Sequence, residues 1–167
     1  MRVYIPATLA TLRSFVESGQ LVPVAGTAFS VTPMLRESYA AGDTEELEYA
    51  AMHEAARASL RLLAAELDDD PSVLPRRVVV AADVDGVRLR ADLDDAAVTV
   101  AGPVPLSAVA AVHVDLAEAE DAVRAAAALV DAADLGDPDA EFTLGSAEDH
   151  EMAWYATQEI PFLLELL

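Results

Sequence analysis

The chain has 167 residues, 54% of them hydrophobic and none of them cysteine, and thirty acidic residues against ten basic ones set its formal charge at −20. That length suits one domain of the usual ~100–200 residues with a real core, and the apolar content argues against global disorder. The charge argues against nucleic-acid binding and against anionic membrane surfaces, both of which need Lys and Arg to meet phosphates. The missing thiols exclude disulfides, thiolate metal sites and a cysteine nucleophile.

All ten basic residues are arginine, and lysine and asparagine are absent. A GC-rich genome produces this composition, and so does adaptation to high salt. The opening "MRVYIPATLATLRS" shows neither an uninterrupted apolar h-region nor an A-x-A cleavage pattern. No apolar run approaches the ~18 residues that span a bilayer. The expectation is a single domain over 1–167, soluble and cytoplasmic.

In chain order, "MRVYIP" alternates Val3 and Ile5 with Arg2 and Tyr4 and predicts a short strand. Thr8 caps a helix running to about Ser18, with Gly19 as its stop. "GTAFSV" at 26–31 is a second strand, after which Thr32 and Pro33 stand as the cap and first residue of a helix. A long helix spans 44–67, capped by Asp43 with Glu46 at capping-box spacing. "LDDDPSVLP" is a connection. "RRVVVAADV" and "VRLRADL" then flank Asp85-Gly86, the signature of a two-residue hairpin turn, with Val87, Leu89 and Ala91 on the buried face of the second strand. "AAVTVAG" and "VAAVHVDL" are further strands, and a helix at 117–133 has Asp115 and Glu118 at capping-box spacing. "DLGDPDAEFTLGS" reads as turn-rich, "MAWYAT" as a last strand and "QEIPFLLELL" as a closing helix. This order predicts an α+β fold. Its sheet is expected to be mixed, with helices mainly on one side, and a ferredoxin-like arrangement with a helical insertion at 33–67 is the specific topology it suggests.

Four stretches could carry chemistry. Asp83-Val84-Asp85-Gly86 after a valine run is similar to the opening motif of haloacid dehalogenase-type phosphohydrolases, in which two aspartates flank Mg²⁺. A strand rather than a helix follows it here, lysine is absent, and phosphoryl transfer needs a cationic clamp, so the turn reading is preferred. "HEAAR" (53–57) departs from the zincin H-E-x-x-H at Arg57. His53, Arg57 and Arg61 lie one turn apart and form a basic stripe, read either as a salt-bridged helix face or as an anion-binding site. Asp137, Asp139 and Glu141 alternate as in a calcium loop but lack its glycine and distant glutamate. His150 with Glu148, Asp149 and Glu151 is the candidate metal or acid–base cluster, next to the single tryptophan, Trp154. Trp154 and Tyr155 are expected to anchor the last strand in the core, and His113 to be a structural hydrogen-bonder. Gly-rich phosphate loops and a G-x-S-x-G elbow are both absent.

The stretches "MRVYIPATLATLRSFVESG", "GTAFSVTPMLRESYAAGDTEELEYAAMHEAARASLRLLAAE" and "EDHEMAWYATQEIPFLLELL" together resemble an uncharacterised family of small acidic actinobacterial conserved hypothetical proteins over the full length. The resemblance brings no activity, cofactor or catalytic residue with it. The first expectation is a non-catalytic binding or regulatory module acting through protein–protein contacts, or through self-association, with no cofactor, nucleic acid or membrane partner. The alternative is a small metal-dependent hydrolase using His150 and its neighbouring carboxylates or the Asp83/Asp85 pair.

Overall fold

The computed structural model describes residues 1–39 and 41–167. β1 (Arg2–Ala7) leads into α1 (Leu9–Ser18), whose first turn is closed by Thr8 accepting from the Thr11 N–H and whose end is Gly19 at φ +76°. β2 (Gln20–Leu21) and β3 (Thr27–Phe29) follow. α2 (Pro33–Ser38) starts at the Thr32 cap with Pro33 in its first turn, and α3 (Thr44–Asp69) starts at Asp43, which accepts from the Glu46 N–H at 2.8 Å. These starts are where the sequence places them, because a side-chain acceptor satisfies otherwise unpaired N–H groups. Then come β4 (Val78–Asp83), β5 (Val87–Leu89), β6 (Ala97–Val100), β7 (Val104–Pro105) and β8 (Val109–Val114). α4 (Glu120–Asp134), α5 (Pro138–Glu148), β9 (Ala153–Tyr155) and α6 (Ile160–Glu165) complete the chain.

The fold is α+β. A seven-stranded sheet runs in the order β5-β6-β3-β1-β4-β8-β9, and β2 and β7 form a separate ribbon. The expectation of a mixed sheet is corrected, since every pairing is antiparallel. The reason is a split crossover: β3 and β4 run the same way, but α3 carries the chain over β1, which lies between them and opposes both. Segment 33–67 is therefore the crossover of the core, not an insertion in a ferredoxin-like frame. The helices lie on both faces of the sheet rather than mainly on one. α1 packs on Val3 and Ile5 together with α6, and α3 packs on Tyr4, Val79 and Ala81.

α3 has two working faces. Ala51, Ala55 and Ser59 recur every fourth residue and are fully buried, so the helix can lie close against β1 and β4. Ser59 Oγ donates to the Ala7 carbonyl at 2.7 Å and accepts from the Val78 N–H at 3.1 Å, tying helix to sheet. Leu60 and Leu63 point the other way, into a cluster with Val123, Val130 and Leu144 of α4 and α5.

Four further expectations are corrected. Asp85-Gly86 does not join a hairpin: β5 pairs with β6, while β4 pairs with β1 and β8. Gly86 is left-handed at φ +72°, but Asp85 is not among the positive-φ residues, so the turn is not type I′. Leu89 is 54% exposed, because an edge strand this short is not covered on the side its alternation suggested. Most of segment 134–146, read as turn-rich, belongs to α5, which is started by Asp137 accepting from the Asp139 and Ala140 N–H groups. The helix expected at 117–133 begins with a 3-10 turn at Ala117–Ala119 and has no side-chain cap; Asp115 is engaged elsewhere.

Gly86 keeps a testable consequence. A Cβ there would meet only Ala101 at 4.0 Å, so the penalty is conformational rather than steric. Gly86→Val is expected to cost about 1–3 kcal/mol, against little change for Asp85→Asn, read from denaturant midpoints of the two variants.

Candidate functional site

Cross-strand register assembles the floor of a cleft. Val79 on β4 faces His113 on β8, and His113 faces Trp154 on β9, so the three share the sheet face that α3 covers. Arg77 precedes Val79 by two residues and joins the same face. From above, α3 contributes Tyr49, Met52, His53 and Ala56, spaced as one helical stripe. Glu148 at the end of α5 and His150, Glu151 and Met152 in the α5–β9 connection close the side. The cleft measures about 300 Å³, at the small end of ligand pockets.

All three histidines of the chain line it. His53 Nε2 lies 3.4 Å from Glu148 Oε2, and its ring sits 6.0 Å from that of Tyr49 one turn earlier. Burial pushes the His113 imidazole below its ordinary value of 6.5, so it is neutral at pH 7. The sign of the resulting pH dependence follows. Unfolded His113 takes up a proton more readily than folded His113, so its contribution to stability is complete above about pH 6.5 and is lost as pH falls from there through the depressed folded value. His113→Gln is expected to flatten that part of the melting-temperature profile between about pH 7.5 and 5.5. An unchanged slope would show that another group titrates there.

The deepest member is Arg77, only 2% exposed. Its Nε and Nη2 donate to the two oxygens of Asp115 at 2.8 and 2.7 Å, and Nη2 also donates to the His150 carbonyl at 3.0 Å. Asp115 is fully buried and also accepts from the Arg77 backbone N–H at 2.8 Å. A bidentate pair of this kind fixes the plane of the guanidinium and, through the His150 carbonyl, the path of the loop.

The residues singled out from sequence fare unequally. His150, Glu148 and Glu151 do border the cleft, while Asp149 is exposed and outside its lining. Among the described residues no three His, Asp or Glu side chains are close enough to share an ion. The anion stripe is neutralised. Arg57 donates to Asp134 and Glu141 at 2.8–3.2 Å, and Arg61 donates to Asp134 at 2.7 and 2.9 Å. Hydrogen bonds from Arg61 and Arg57 hold the Asp134 carboxyl below the usual carboxylate range. These cations staple α3 to the α4–α5 hairpin, and only His53 of the stripe reaches the cleft. Asp139, from the alternating acidic run, lies in the first turn of α5 beside the Asp137 cap. Asp83 is held by Arg2 at 2.7 and 3.1 Å, and among the described residues lining the groove it shares with Asp85 there is no basic residue and no third carboxylate. Trp154 is 60% exposed at the rim rather than a core anchor; Tyr155 packs against the core from the other face.

Sequence reasoning missed Arg77, Asp115, Tyr49 and Met52. The 49/52/53/56 spacing was there to be read; the Arg77–Asp115 pair, 38 residues apart, had no local signal.

Among the described residues, no helix is long and apolar enough to cross a membrane. No curated protein and no solved structure matches the chain significantly. Residues 1–164 match the model described as "Family of unknown function (DUF6912)", and the chain belongs to that family.

Proposed function

We propose that the protein is a binding module whose ligand is a small molecule seated between α3 and the β4–β8–β9 edge of the sheet. The observation that carries this is the convergence of His53, His113 and His150, from three separate elements, on one cleft floored by a buried arginine. Apolar walls with a few convergent polar groups are the usual composition of such a site.

The experiment uses the only tryptophan. Trp154 lies on the rim, so a bound molecule should change its emission saturably and raise the melting temperature by mass action. Hits from a chemically diverse fragment set should lose both effects in His53→Ala and His150→Ala. A set that produces no saturable change, or hits indifferent to both variants, refutes the reading.

A protein partner remains a second reading, favoured by α6. Ile160, Leu163 and Leu164 pack inward, while Phe162 and Leu166 stand exposed one turn apart. The metal-dependent hydrolase alternative draws no support from His150 with Glu148, Asp149 and Glu151, or from Asp83 with Asp85, because neither set gathers three ligands.

A further inference from the structure

We infer that the ligand of this cleft is an uncharged planar molecule that presents a carbonyl oxygen to Arg77; this rests on the small-molecule reading above. Arg77 uses Nε and Nη2 within the protein, while Nη1 makes no hydrogen bond to any described residue. No sealed side-chain nitrogen lacks a partner among the described residues. Nη1 is therefore not enclosed, and because Arg77 is among the residues that line the cleft, we place its open N–H edge toward the cleft space. A guanidinium this deep with a vacant donor edge calls for an acceptor.

Charge decides which acceptor. Asp115 already balances Arg77, Glu148 and Glu151 add negative charge at the mouth, and the whole chain carries −20. An anion would enter against that field, whereas a neutral carbonyl meets the donor without the penalty. A cation would suit the mouth but would bring no acceptor to the floor. Shape decides the rest. Trp154 and Tyr49 offer flat faces at the rim, Met52 and Met152 adapt to an apolar body, and about 300 Å³ admits one or two fused rings.

The test compares benzamide, benzoate and benzylamine, which share a ring and differ in charge and acceptor. Binding is followed through the few histidine and tryptophan NMR signals of the whole chain. Benzamide is expected to bind roughly tenfold or more tighter than either charged analogue and to shift the Arg77 guanidinium signal. The double variant Arg77→Met/Asp115→Leu, which removes both members of the pair, should abolish the preference while keeping the fold by circular dichroism. Should that variant unfold, the Arg77 signal in the unmodified protein still decides the point. Tighter binding of benzoate or benzylamine, or a benzamide complex that leaves Arg77 unshifted, overturns the carbonyl assignment but not the cleft. Silence of all three probes at the histidine and tryptophan signals overturns the cleft reading itself.

Discussion

Asp115→Ala is expected to lower the unfolding free energy by about 3–5 kcal/mol, more than any change confined to the cleft mouth. The carboxylate is fully buried and accepts three hydrogen bonds from Arg77, two from the guanidinium and one from the backbone N–H. Its removal leaves a positive charge and a backbone donor in a site that water barely reaches. Losing the charge partner dominates over the lost packing, because alanine truncation of a carboxylate this small opens little volume. Deleting both partners together should be far milder, since no charge is then stranded. Denaturant midpoints of the single and double variants measure the contrast. A loss under about 1 kcal/mol for the single variant would mean that water solvates Arg77 after all. The same variant should also loosen the loop that carries His150, whose carbonyl Arg77 holds at 3.0 Å.

That pair also shows where sequence reading reached its limit. Helix starts at Thr8, Thr32-Pro33 and Asp43 were legible because a cap acts on N–H groups two or three residues away, within the range of a local pattern. Asp115 with Glu118 displays the same local pattern, yet the carboxylate serves Arg77 just before the neighbouring strand β4. Local spacing cannot report a partner brought in by register. Asp137-Pro138 was a genuine start signal hidden among residues that also build turns. Asp85-Gly86 was misread for the complementary reason: the left-handed glycine is real, but what it joins depends on strand order. The histidines illustrate the same division. Each is visible alone, and strand alternation puts His113 on the face away from Val112 and Val114. Their convergence needed α3, β8 and the α5–β9 loop to be positioned together.

Phe15→Ala is expected to cost a comparable amount, about 3–5 kcal/mol, while leaving ligand affinity unchanged. Phe15 is the largest of the fully buried side chains and sits on α1 against the sheet face opposite the cleft, among Leu12, Ile5 and Val80. Truncation removes a ring's worth of apolar contact and leaves a void that α1, pinned by Thr8 at one end and Gly19 at the other, cannot close fully. The floor of the cleft belongs to the other face of the same strands: Val80 contributes to the Phe15 cluster, and its neighbour Val79 contributes to the α3 side. A void on one side of the sheet need not displace the other side, provided the β1–β4–β8 ladder holds its register. Chemical denaturation should therefore show a large fall in midpoint, and titration of a cleft ligand well below the new transition should return the original affinity. A variant that folds but binds more than about tenfold more weakly would show that the two faces are mechanically coupled through the strands. In that event α1 would have to be counted among the elements that hold His113 and Arg77 in place.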